Sequence, residues 1–177
     1  LTAPDRKPQL LREFLEFARR QRLSPKFFNI LRSDRELFRQ HGYLVSKTGE
    51  EPIIDLRQTD WRGKRYEWVR RQENFCRRQQ VQFRQLDLDS LPPAERSACV
   101  EALTQISNQH VEATAYGREL SLTVARVDFE RLHRRRLFVA ECQGRPVAFV
   151  IANPAYGGAM WVIETYRKAS AAPRGVI

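Results

Sequence analysis

This 177-residue sequence has no long apolar run, few cysteines, few histidines and a shortage of acidic residues. Each lack excludes something. The longest apolar stretch, Val147–Ala152, falls far below the ~20 residues a helix needs to cross a bilayer. The opening LTAPDRKPQL is polar and proline-containing, so it does not read as a secretory signal. Cys76, Cys99 and Cys142 are odd in number and lack metal-ligand spacing, which argues for reduced thiols rather than a disulfide framework. His41, His110 and His133 are scattered, and no metal site is expected. No internal repeat is visible.

What is present describes a folded protein with an anionic partner. The apolar share of 42% and charged share of 29% fit a globular chain, and the length fits one domain or two small halves. Lys and Arg number 31 against 21 Asp and Glu, a net charge of +10. That balance, with a pI near 10.1, favours nucleic acid, an anionic membrane surface or a phosphorylated substrate.

Periodicity predicts an α/β (α+β) chain. Leu10, Phe14, Phe17 and Ala18 recur at helical spacing within a helix over Leu10–Gln21. Phe27–Leu31 reads as a short buried strand. Ser33 with Glu36 three residues on resembles a capping box, opening a helix that Gly42 stops. Tyr43–Lys47 and Pro52–Leu56 read as a strand pair across Thr48-Gly49-Glu50. A basic helix is expected over Lys64–Gln80, with Trp68, Val69, Phe75 and Cys76 on one arc and Arg70, Arg71, Arg77 and Arg78 mainly across from it. Four guanidiniums on one face suit phosphates without sequence preference; the plain alternative is a solvated helix face. Arg62, Lys64 and Arg65 extend the positive region.

Val81–Leu88 alternates as a strand, and Ser90 is expected to cap a helix that Pro92 and Pro93 begin and that runs to about His110. Residues 112–123 read as a loop containing Tyr116, Gly117 and Arg118. Asp128 is expected to cap a short helix before the basic run 133–136. Leu137–Cys142 and Val147–Ala152 then form a hairpin across the four residues Gln143-Gly144-Arg145-Pro146, and Met160–Thr165 is a third strand. Its exit carries Glu164, Arg167 and Lys168, an acid and two bases at one strand end. The expected boundary between the two α/β parts lies near Leu56–Gly63.

Three passages, in order, resemble a known family. They are FFNI…FRQHGYLVSKTGEEPIIDL (27–56), the Gly63-Lys64…Arg70…Asn74 stretch, and LFVAECQGRPVAFVIANP followed by ETYRKASAAPRGV (137–176). The chain is similar to the C-terminal domain of bacterial phosphatidylglycerol lysyltransferases and alanyl-phosphatidylglycerol synthases, the multiple peptide resistance factors. The resemblance implies tandem Gcn5-related acyltransferase-like folds joined by a basic helix and cut at both ends. Residues 1–60 would be the C-terminal half of a first fold, 61–80 the connecting helix, and 81–177 the N-terminal half of a second.

The resemblance further implies transfer of an amino acid, lysyl or alanyl, from aminoacyl-tRNA to phosphatidylglycerol. The place would be the cytoplasmic face of the bacterial inner membrane, in a parent with an N-terminal transmembrane domain. The outcome would be resistance to cationic antimicrobial peptides. No cofactor is implied. The family's acid-x-x-Arg motif falls on Glu164 and Arg167 as catalytic residues; the family usually has Asp where Glu164 stands. Arg70, Arg71, Arg77, Arg78 and Lys168 are the residues expected to bind tRNA or lipid phosphate.

Two rivals carry their own signatures. An acyl-coenzyme A N-acyltransferase needs a Gly-rich turn whose backbone N–H groups hold the pyrophosphate, and SAAPRGV offers one glycine and a donor-less proline. A non-catalytic RNA- or lipid-binding module would suit the charge, but most Phe and Trp fall on faces expected to be core.

Overall fold

A computed structural model describes residues 4–115, 117 and 127–177, in two compact units, Leu1–Arg57 and Gln58–Ile177. Tyr116 and Arg118, expected in a loop, lie outside the described residues.

The first unit is built from α1 (Lys7–Arg20) and α2 (Arg35–Gln40) around aromatic rings rather than a sheet. Phe27 is the hub. Its ring lies 5.8 Å from Phe14, 4.9 Å from Phe38 and 5.2 Å from Tyr43, in tilted or edge-on geometries that suit ring quadrupoles. Lys7 Nζ and Asp34 Oδ2, 2.8 Å apart, tie the start of α1 to the start of α2. The helices match the periodicity, and Gly42 sits at φ +80° just past α2, a conformation that favours glycine.

The expected strands of this unit are absent among its described residues. Phe27–Leu31, Tyr43–Lys47 and Pro52–Leu56 are irregular, and Leu44, Ile53 and Leu56 are exposed. A strand needs a neighbour to take its backbone hydrogen bonds, and here none pairs with these segments. The capping box is also absent: α2 follows a 3₁₀ turn at Arg32–Asp34 with no side-chain cap, and Ser33 Oγ only reaches Asp34 Oδ1 at 3.5 Å.

The second unit is a four-stranded antiparallel sheet in the order β1-β2-β3-β4, with β1 Val81–Leu86, β2 Arg136–Cys142, β3 Arg145–Ala155 and β4 Met160–Lys168. Its two faces carry different covers. Leu137, Val139, Phe149 and Ile151 point to one face and pack with Leu103 and Ile106 of α4 (Pro93–Glu112). Alternate residues Ala140 and Ala148 point to the other and pack with Cys76 of α3 (Glu67–Arg78) and with Val176. Small alanines on that face let α3 and the last turn of the chain approach the sheet. The turn is held by Gly175 at φ +84°, where a Cβ would collide with Gln72 Oε1.

Three local expectations change here. The β2–β3 connection is two residues, Gln143 and Gly144, with φ of 52° and 73°, as in the primed hairpin turns. Ser90 does not cap α4; Pro92 occupies the N-cap, and the Ser90 hydroxyl donates to Asp87 O at 2.7 Å. Trp68 and Val69 are exposed, Trp68 at 66%, because α3 turns Cys76 rather than its whole apolar arc to the sheet. Asp128 does cap the turn at Phe129–Arg131, accepting from Glu130 N.

Candidate functional site

The acid-x-x-Arg residues lie inside β4, not beyond its end. Strand alternation would send residues three apart to opposite faces. A β-bulge breaks that alternation: Ile151 pairs with Thr165 and Ala152 with Ile163, leaving Glu164 as the extra residue. The Glu164 carboxylate is 19% exposed and pairs with Arg135 at 3.3 Å, immediately before β2. Its ion-pair partner is therefore Arg135, a residue the sequence reading did not single out.

Arg167 is only 8% exposed and stands opposite Phe149, on the face covered by α4. Its Nη1 lies 3.5 Å from Tyr166 O, at the outer limit of a hydrogen bond. His110, in the last turn of α4, meets the same strand. Its Nδ1 accepts from Lys168 N at 3.4 Å, and its ring stands edge-on to Tyr166. Burial, and then the charge of Arg167, push the His110 pKa below the ordinary histidine value. With Nδ1 accepting, the neutral ring carries its proton on Nε2 and can donate from there. A lone histidine carries no spacing signal, so the sequence does not mark His110.

Lys168 is exposed and pairs with Ala148, so it belongs to the opposite face from Arg167. The α3 arginines divide three ways. Arg70 Nη1 donates to Trp61 O and Gly63 O, both at 2.8 Å, which ties the preceding loop to the helix. Arg71 and Arg77 pair with Glu67 and Glu73 one turn back, at 2.6 and 2.7 Å. Arg78 has no carboxylate within ion-pair distance among the described residues. Helical spacing groups these four arginines on one face; the carboxylates at i−4 neutralise two, and the loop holds a third.

Arg71 and Arg78 line an open cavity of about 570 Å³ with Gln72, Asn74, Phe75 and Arg174. Arg174 arrives from the last turn of the chain, where its carbonyl accepts from Cys76 Sγ at 3.9 Å. The sheet separates this cavity from Arg167. Arg167, expected to act on the aminoacyl ester, and the α3 helix whose arginines are expected to hold phosphate thus fall on two faces of one sheet.

An antiparallel sheet with a helix on each face, an acid in a bulge and a basic groove make up an α+β domain. The L-PGS of Bacillus licheniformis shares this architecture with a TM-score of 0.76 and 26% identity, over 98% of this chain and 51% of that one. A C-terminal domain (DUF2156) assigned to lysylphosphatidylglycerol synthetase in Agrobacterium fabrum has the same fold, with a TM-score of 0.76 and 19% identity over 98% of this chain and 53% of its own. The phosphatidylglycerol lysyltransferase of Bacillus subtilis (strain 168) is 28% identical over 171 residues, 96% of this chain but 19% of that enzyme. The chain belongs to the family described as phosphatidylglycerol lysyltransferase, C-terminal, whose model matches residues 1–177.

Proposed function

We propose that this chain is part of an aminoacyltransferase that moves a lysyl or alanyl group from aminoacyl-tRNA to a hydroxyl of phosphatidylglycerol. In this reading residues 1–60 and 81–177 are parts of two Gcn5-related folds joined through 61–80. The parent carries an N-terminal transmembrane domain and works at the cytoplasmic face of the bacterial inner membrane. Among the described residues no helix is long and apolar enough to cross a membrane, so that anchor would lie elsewhere in the parent. The observation that carries the proposal is the family match along the whole chain, with the acid-x-x-Arg motif intact in type at Glu164 and Arg167.

The chemistry asks little of a cofactor, because the aminoacyl ester is already activated. The lipid hydroxyl attacks the ester carbonyl, a tetrahedral oxyanion forms, and the tRNA ribose oxygen leaves and takes up the proton the hydroxyl gave away. The protein must align the two substrates and stabilise the oxyanion. Glu164 is suited to hold the α-ammonium of the aminoacyl group or to receive the hydroxyl proton, exchanging its contact with Arg135 for the substrate. Arg167 is suited to clamp a phosphate, or the oxyanion as it forms, in a site shielded from water. Lysyl transfer reverses the sign of the headgroup charge, and this lowers the attraction of a membrane for cationic peptides.

Lipid extraction from cells expressing the full-length parent is the test. Aminoacylated phosphatidylglycerol is expected with the wild type and is expected to fall at least ~100-fold with Arg167→Ala, the scale lost when one transition-state contact is removed. Absence of the aminoacyl lipid in the wild type would overturn the reaction. Full product with Arg167→Ala would overturn the site alone.

A further inference from the structure

We propose that the projecting tip of the β3–β4 hairpin and the arginines at its root form a docking surface for an anionic phospholipid bilayer, with Tyr156, Trp161 and Ile163 entering the headgroup layer. The surface belongs to the reading in which phosphatidylglycerol is the acceptor, and the choice of lipid rests on that reading.

A difference in strand length builds the tip. β2 begins at Arg136, which pairs with Ala152, whereas β3 runs on to Ala155 and β4 starts at Met160. The hairpin therefore continues past the rest of the sheet, with the turn Tyr156–Gly158 at its end, where Tyr156 and both glycines have positive φ. Residues 153–163 contain no charged side chain. Solvent reaches apolar groups on every side of this tip. Trp161 and Ile163 stand on one face, in register with Pro154 and Ala152, and Val162 stands on the other. Ile163 is 64% exposed, and Tyr156, at the turn, is 50% exposed. A folded protein partner covers one face of a hairpin. A bilayer takes in all sides of a projecting tip at once, and Tyr and Trp are the side chains that settle at headgroup level.

The charge at the root has the matching sign. Residues 133–136 read His-Arg-Arg-Arg, and the Arg136 guanidinium lies 4.1 Å over the Trp161 ring, so cation and aromatic form one surface. Arg134 and Arg136 are exposed and have no carboxylate within ion-pair distance among the described residues. Nearby Glu164 is paired with Arg135 at 3.3 Å. Cations beside aromatic and aliphatic tips suit a negative interface, whose attraction for each arginine falls off within a Debye length. The outer edge of β4, which has no neighbouring strand among the described residues, keeps insertion shallow, because unpaired backbone groups are costly in hydrocarbon. Glu164 directly follows Ile163, so docking of the tip brings headgroups beside the acid expected to act on the lipid hydroxyl.

The test floats the chain with vesicles of phosphatidylcholine alone or in equimolar mixture with phosphatidylglycerol, and follows tryptophan emission with brominated acyl chains as quenchers. Binding is expected to the mixed vesicles and is expected to weaken as salt rises. Trp161→Ser and Ile163→Ser are each expected to weaken it about 10-fold, the scale of one large apolar side chain leaving the interface. Arg134→Gln and Arg136→Gln are each expected to weaken it about 5-fold on the mixed vesicles. Arg145→Gln removes one charge at the opposite end of β3 and is the control, expected to change binding less than about 2-fold. Quenching is expected to vanish in Trp161→Phe, which keeps a ring at the tip but no reporter there. Quenching that survives in Trp161→Phe would put Trp61 or Trp68 in the lipid and overturn the proposal. Losses in Arg145→Gln equal to those at the root would overturn it in favour of diffuse attraction. Binding to polyglutamate as strong as to the mixed vesicles, with the same variants impaired, would reassign the surface to an acidic protein and also overturn it. Circular dichroism identifies any variant that fails to fold, and Ile163→Ser, at a mostly exposed position, keeps the test standing. Flotation is read without transfer. Absence of flotation while the parent still makes aminoacylated lipid would overturn the docking surface alone, and the reverse result would overturn the reaction alone.

Discussion

The two units bury apolar surface in opposite ways. In the second unit, strands and α4 enclose a continuous core, and Phe149 at 1% exposure has Phe129 edge-on at 5.5 Å. In the first unit, Leu11 and Ala18 are the buried hydrophobic residues among those described, and the aromatic hub at Phe27 is half-buried. Phe28, Leu44, Ile53 and Leu56 remain open to water. A sheet satisfies its backbone through its neighbours and so can place alternate residues fully out of water. A pair of short helices with irregular connections can cluster rings but cannot close over them.

The largest test of this difference is Phe149→Ala. Emptying a closed site costs the transfer energy and a cavity, ~3–5 kcal/mol, and denaturant unfolding followed by far-ultraviolet circular dichroism should register it. Phe27→Ala is expected to cost less, ~1–2 kcal/mol, because water already reaches part of that ring and neighbouring residues can collapse around the gap. A loss at Phe27 as large as at Phe149 would erase the distinction between a ring cluster and a closed core.

The smallest expected effect concerns pH, and it belongs to the second unit. The folded-state pKa of His110 is lowered by burial and by Arg167, so the unfolded chain binds the proton more readily. Stability should therefore fall as pH drops below about 6.5, the ordinary histidine value, and level off below the depressed folded value. His110→Gln should flatten that slope in urea unfolding between neutral and mildly acidic pH. An unchanged slope would remove His110 from the neighbourhood of Arg167 as an energetic partner.

Much of the architecture was legible because it is local. The 3.6-residue spacing of α1, the stop at Gly42, the Asp128 cap and the β2–β3 hairpin all depend on residues close in the chain. The hairpin was off only in its turn: Gln143 adopts positive φ, which a count of polar residues between apolar runs does not reveal. The misread strands at 27–31, 43–47 and 52–56 have strand composition, but composition cannot supply a partner. Exposed rings were also underestimated. Phe83 belongs to the apolar alternation of Val81–Leu88, yet the sheet leaves it 57% exposed.

The candidate site divides along the same line. Residue type and order marked Glu164, Arg167 and the α3 arginines, since a carboxylate, a guanidinium and their spacing are visible in the chain itself. Pairing decided the rest. Arg135 reaches Glu164 only because β2 and β4 flank β3, and Arg174 joins Arg71 and Arg78 only because the tail docks where Ala140 and Ala148 leave room. The sequence by itself determined the helices, the hairpin, the excess of positive charge and the family. The tertiary structure alone decided which charges are neutralised, which face of the sheet each residue occupies and which distant arginines share a groove. Ion pairs and cavities are set by distances between residues far apart in sequence, and no local pattern encodes those distances.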